Sequence, residues 1–110
     1  MTIKEVEEQT GLTRSNIRFY EKENRIEPTR NDKNGYRNYS ESDVENIKKI
    51  AYLRTLEISI EDIRNIMSDK VSLEEIIKKQ TVAIQTQIED LNKAKSMCER
   101  MLEAGEVSFD

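Results

Sequence analysis

A mainly α-helical fold, carrying one small β-hairpin and ending in a long helix, is predicted by three features of this chain. Hydroxyl residues followed three positions later by a polar partner recur at Thr2 with Glu5, Thr13 with Asn16, Ser40 with Asp43, Ser59 with Asp62 and Ser72 with Glu75; such pairs mark helix N-termini. Asn34-Gly35 interrupts that series, and this dipeptide is a strong hairpin signal because both turn positions take φ > 0 at low cost. Toward the C-terminus, apolar residues recur at four-then-three spacing, the seam of a coiled coil.

Each element follows from its own stretch. A first helix, about Ile3 to Gln9, turns Ile3 and Val6 inward. Thr10-Gly11-Leu12 is a tight turn in which glycine takes the left-handed conformation. The second helix, about Arg14 to Glu23, carries Ile17 and Tyr20 inward and is expected to stop at a left-handed Asn24, asparagine being the second choice after glycine. Helix, turn and helix form a helix-turn-helix whose second helix offers its first turns to the DNA major groove. The hairpin with Tyr36, Arg37 and Tyr39 adds a wing. A third helix, about Glu41 to Leu56, supplies Val44, Ile47, Ile50, Ala51 and Leu53 to the core, and a fourth, about Ile60 to Met67, adds Ile63, Ile66 and Met67.

The last helix runs from near Leu73 to about Glu103, on the order of 45 Å. Its seam is Ile77, Thr81, Ile84, Ile88, Leu91, Lys95, Cys98 and Leu102. So narrow a stripe is not satisfied by one helix in water, so a homodimer through a partner helix is expected. Thr81 and Lys95 interrupt the seam and are candidates to fix its register or orientation.

Composition narrows the function. The net charge is −4, yet residues 13–40 hold seven basic side chains against four acidic ones, a local +3 that leaves −7 elsewhere. Screening at physiological salt acts over roughly 8 Å, so a phosphate partner meets the local surface and not the global sign. No stretch is long and apolar enough to span a membrane, and no secretory signal opens the chain. A single cysteine excludes an internal disulfide and fits a reducing cytoplasm, so the expected location is cytoplasmic and nucleoid-associated. No histidine is present, so one protomer cannot assemble a thiolate or imidazole metal cage, and no cofactor is expected. Histidine-based triads and phosphate-cradling glycine loops are missing too, and Glu74-Glu75 and Glu89-Asp90 read as solvated faces, so an enzyme is not expected.

The DNA-contact candidates lie on the second helix and the wing. Thr13, Arg14, Asn16, Arg18 and Phe19 occupy the first turns of that helix; arginine pairs with guanine and asparagine with adenine in the major groove. Thr13 doubles as the cap. Tyr20 offers a hydroxyl to phosphate while its ring packs inward. Tyr36 and Arg37 are the wing's main phosphate contacts, with Lys33 and Arg30 adding unspecific attraction, and Tyr39 divides between contact and packing. Ser59 and Arg64 are second-wing candidates, and Cys98 reads as a small apolar residue.

Together, Thr10-Gly11-Leu12-Thr13, Ile17-Arg18-Phe19-Tyr20, Pro28, Asn34-Gly35-Tyr36-Arg37-Asn38-Tyr39 and Ser40-x-x-Asp43 resemble the MerR family of bacterial transcription regulators over residues 1 to about 70. Departures are Asn16 for the family's usual threonine, Phe19 for tyrosine, Asn24 and Arg25 for a glycine and an apolar residue, and Glu57 for glycine. The resemblance implies a winged helix-turn-helix domain over 1–70, an antiparallel dimerisation helix over 71–104, and a tail at 105–110 that in many relatives leads to an effector-binding domain. It also implies a homodimer on a pseudo-palindromic operator in double-stranded promoter DNA. That dimer would bend and untwist an overlong spacer and so reach RNA polymerase indirectly, through the promoter. A different class, a helix-turn-helix and coiled-coil interaction module without DNA binding, is the competing expectation, supported by the acidic remainder of the chain.

Overall fold

The structure, a computed structural model, describes residues 1–30 and 34–109. It divides into two compact units, Met1–Leu73 and Glu74–Asp110. The first holds α1 (Ile3–Thr10), α2 (Arg14–Glu23), β1 (Thr29–Arg30), β2 (Arg37–Asn38), α3 (Glu41–Thr55) and α4 (Ile60–Met67); the second holds α5 (Leu73–Ala104), all but its first residue, and the residues after it.

The helices start where hydroxyl side chains replace the missing carbonyl partners of the first turn. Thr2 and Ser40 make reciprocal capping boxes with Glu5 and Asp43, whereas Thr13 and Ser59 accept from the amides of Asn16 and Asp62 at 3.2 and 3.1 Å. Bonds from the Thr2 amide and hydroxyl hold the Glu5 carboxyl below its ordinary value. This contribution to α1 is present above the ordinary glutamate pKa and is lost as pH falls through the folded one.

At their C-termini four helices close in the same way, α5 on the left-handed Gly105 with the Glu106 amide reaching Met101 O and the other three without glycine. Ile26, Ile58 and Lys70 amides reach back to the carbonyls of Glu21, Leu53 and Asn65, which is the Schellman closure and requires a left-handed residue just before each donor. Those residues are Arg25, Glu57 and Asp69, at φ of 54, 63 and 59°. The expectation for Asn24 is therefore corrected. Asn24 sits at φ −109° and ψ 11°, its Nδ2 donates to Tyr20 O at 3.1 Å, and the left-handed position falls one residue later because α2 keeps its full last turn.

The core of the first unit gathers Val6, Ile17, Tyr39, Val44 and Ile47, with Met1, Ile3, Leu12, Tyr20 and Ile26 packed on it. Ile50, Leu53, Ile58 and Ile63 are buried as well. Ile58 was not among the expected core residues, because it lies between Glu57 and the Ser59 cap, where no helical period flags it. Ala51, Ile66 and Met67, expected inside, are half-buried.

β1 and β2 pair antiparallel, Thr29 opposite Asn38 and Arg30 opposite Arg37. Residues 31–36 thus separate the strands, so Asn34-Gly35 does not join them as a two-residue turn. Instead Asn34 Oδ1 accepts from the Tyr36 amide at 2.9 Å and Gly35, at φ 70°, turns its carbonyl to Arg30 Nη1 at 3.2 Å. Beyond β2, the Tyr39 amide donates to Met1 O at 2.7 Å, and the Met1 amine donates to Tyr39 O and Asn38 Oδ1 at 2.8 and 2.9 Å. The chain start is thereby tied to the second strand of the wing.

Taken by itself, α5 buries only Ile76. Of its seam, Ile77 and Ile84 are half-buried, while Thr81, Ile88, Leu91, Lys95, Cys98 and Leu102 are exposed, Leu91 at 70%. Thr81 turns its hydroxyl to Ile77 O at 2.9 Å. Val82, Met97 and Met101 are also exposed and fall outside the seam, so the exposed apolar residues of α5 are not confined to the heptad spacing.

Candidate nucleic-acid interface

The face of α2 is set by what it buries. Ile17 and Glu21, one turn apart, point into the domain, and the helical period then turns Ser15, Phe19 and Lys22 outward. Thr13 spends its hydroxyl on the Asn16 amide, so its cap role is secured. Arg14, Asn16, Arg18 and Phe19 are all exposed. Arg14 is not free: its Nε donates to Glu7 Oε1 at 2.7 Å and ties α2 to α1. Tyr20 is half-buried on the core, its ring 6.0 Å from that of Phe19 and tilted by 57°.

In the wing, Tyr36 is 71% exposed. Arg37 is half-buried, with Nε 3.5 Å from Glu21 Oε2. Tyr39 is 2% exposed and belongs to the core, a placement that leaves its ring no surface to offer a ligand. Lys33 lies outside the described residues. The second-wing candidates are occupied too. Ser59 caps α4, and Arg64 donates Nε to Glu23 O at 2.6 Å and Nη2 to Glu23 Oε2 at 2.5 Å, clamping the end of α2 to α4.

Glu21 is the polar residue that the sequence reading passed over. It is 4% exposed, and both its Oε1 and the neighbouring Tyr39 hydroxyl are buried without a hydrogen-bond partner among the described residues. Burial first, and then the Glu21 carboxylate, push the Tyr39 hydroxyl well above the ordinary phenol range, so it stays neutral in the folded protein. The position was legible in principle: Glu21 is four residues beyond Ile17, on the same helical face.

The exposed cations converge. A groove of about 490 Å³ has Arg14 and Arg18 on one side, Arg30, Tyr36 and Arg37 on another, and the first residues of α1 on a third. Arg18, Arg30 and Arg37 also line an adjoining groove of about 440 Å³ near Pro28. Glu7 and Glu21 offset two of these guanidinium groups; Arg18 and Arg30 carry no ion pair among the described residues. Guanidinium and phenol groups around an open groove, beside an exposed helix face, suit a polyanion whose phosphates and base edges are read together.

The family described as MerR HTH family regulatory protein matches residues 1–70. The HTH-type transcriptional regulator HmrR of Rhizobium leguminosarum bv. viciae is 30% identical, across 94% of this chain and 85% of that protein. The HTH-type transcriptional regulator ZntR of Escherichia coli K12 is 27% identical, across 93% of this chain and 78% of that one. Among solved structures, the EcmrR–DNA complex in EcmrR-RPo, determined by cryo-EM, superposes with a TM-score of 0.82 at 26% identity, covering 96% of this chain but only 40% of the larger one.

Proposed function

The chain belongs to the MerR HTH family of regulatory proteins, and on that premise we propose that it is a transcription regulator, not an enzyme, which binds a pseudo-palindromic promoter operator as a homodimer through α2 and the wing. The observation that carries this reading is the convergence of Arg14, Arg18, Arg30, Arg37 and Tyr36 on one groove beside the exposed face of α2. Arg14 and Arg18, one turn apart, and Asn16 between them read base edges in the major groove. Tyr36, Arg37 and Arg30 hold the flanking backbone, which fixes register without sequence information. α5 pairs with its counterpart through Ile77, Ile84, Ile88, Leu91 and Leu102, bringing two reading heads to two half-sites. Residues 1–70 form the reading domain, 71–104 the dimerisation helix and 105–110 a tail. DNA binding places the protein at the nucleoid.

Distortion is the regulatory step in this proposal. Bending and untwisting a site of operator length costs on the order of 1–10 kcal/mol, repaid by contacts that only the bent duplex makes. An effector acts by binding one of the two states better than the other and shifting the population accordingly. RNA polymerase is affected through the realigned promoter elements.

Selection of duplexes from a random-sequence pool tests the proposal. The expected product is an inverted repeat whose half-sites are separated by about one or two helical turns. Recovery of no enriched duplex even at low salt, with the protein dimeric, favours the interaction module instead.

A further inference from the structure

We propose that Lys4, on the first turn of α1, is a further DNA-backbone contact. Its ammonium clamps a phosphate seated in the groove between α1, α2 and the wing. The inference rests on the DNA-binding reading above and adds to it an element outside the helix-turn-helix reading face and the wing.

Three observations carry it. First, Lys4 lines the same groove as Arg14, Arg18, Arg30 and Tyr36. Second, the other polar groups on this part of α1 are committed elsewhere. The Thr2 hydroxyl accepts from the Glu5 amide and donates to the Glu5 carboxylate, and the Glu7 carboxylate holds Arg14. Lys4 is exposed and makes no ion pair among the described residues. Third, the start of α1 is fastened to the wing by the exchange of bonds between Met1 and Tyr39 and by the bond to Asn38. Lys4 therefore keeps its place relative to Tyr36 and Arg37 without depending on a flexible arm.

The chemistry favours phosphate over a base edge. Lysine presents a compact ammonium with three rotatable donors and no planar fork, so it neutralises charge and does not discriminate bases. Arg18 and Arg30 likewise make no ion pair among the described residues, and several cations around one groove suit a segment of polyanion better than a single carboxylate. Nothing in α1 is required to enter the major groove, since its first residues line the groove that also carries Arg18 and Tyr36.

Lys4→Gln keeps the stem, removes the charge and leaves the capping box intact. The test uses the full chain and the duplex that the wild type selects from a random-sequence pool. For each protein the binding constant is measured as a function of salt, and again on duplexes carrying one neutral methylphosphonate at a time along each strand. The expected result is a salt slope reduced by about 0.9 per protomer. With it, one backbone position in each half-site should cost the wild type several-fold in affinity when neutralised and cost Lys4→Gln nothing. An unchanged slope, or a variant as sensitive as the wild type at every backbone position, overturns the contact while leaving the DNA-binding reading in place. Failure of the wild type to bind any selected duplex overturns both, and is recognised before the variant is made.

Discussion

The two units of this molecule bury their apolar surface in opposite ways. Met1–Leu73 closes over its own core, with Val6, Ile17, Ile47, Ile50, Ile58 and Ile63 essentially inaccessible. In Glu74–Asp110, Leu91, Leu102 and Met97 stand in the open along a single helix. A compact core is satisfied within one chain, whereas a helical stripe is satisfied only by another surface. On the proposed reading the first unit carries the side chains that meet DNA, and the second brings two copies together.

Breaking the helical stripe should have the largest effect. Ile84→Asp combined with Leu91→Asp places like charges on both sides of the seam, and light scattering after gel filtration should report a monomer. Operator affinity should then fall by at least about 100-fold, because the second half-site is no longer held at high effective concentration. The folded signal of the first unit, followed by urea unfolding, should be preserved. A variant that remains dimeric moves the interface off the proposed seam.

Next in size is the reading face. Arg18→Ala should cost about 1–3 kcal/mol in operator binding and relax sequence preference at one position of each half-site. Dimerisation and thermal stability should not change, since Arg18 is exposed and carries no ion pair among the described residues. An equal loss on every sequence would reassign Arg18 to the backbone.

A smaller effect of opposite sign is expected at the helix ends. Glu57 holds φ at 63°, a conformation that costs an L-residue about 1–2 kcal/mol and glycine little. Glu57→Gly should therefore stabilise the first unit by about 1 kcal/mol, read as a higher urea midpoint at unchanged slope. A decrease would mean that the Schellman closure after α3 is not the dominant conformation.

The smallest change is expected at Tyr39. Its hydroxyl is buried without a partner beside Glu21, so Tyr39→Phe removes a desolvated group and should leave stability within about 1 kcal/mol of the parent, or raise it. A loss greater than about 2 kcal/mol would show that the hydroxyl and the carboxylate share a hydrogen bond in solution.

How much of this was legible beforehand depended on whether a feature is local. The helix starts were readable because a cap needs only residues three apart: Thr2 with Glu5, and Ser40 with Asp43. The helix ends were harder. Arg25, Glu57 and Asp69 adopt left-handed backbone with no glycine to announce it, because closure of the last turn and packing of Ile26 and Ile58 outweigh the strain. The hairpin was found but its turn was misjudged, since strand register is decided by Arg30 meeting Arg37 and not by Asn34-Gly35 alone. In the candidate interface, exposure on α2 followed from the burial of Ile17. The partners that restrain Arg14, Arg37 and Arg64 did not, because Glu7, Glu21 and Glu23 reach them from other elements or other turns, and no sequence period records such meetings.

On the proposed reading, paired heads distort the DNA between them. A chemical-nuclease footprint on the promoter upstream of the protein's own gene, using a reagent that reports unstacked base steps, tests it most directly. The expected pattern is symmetric protection of two half-sites around a hypersensitive centre inside an overlong promoter spacer. Symmetric protection with an unreactive centre, maintained across the growth conditions that change transcription of the gene, would contradict it.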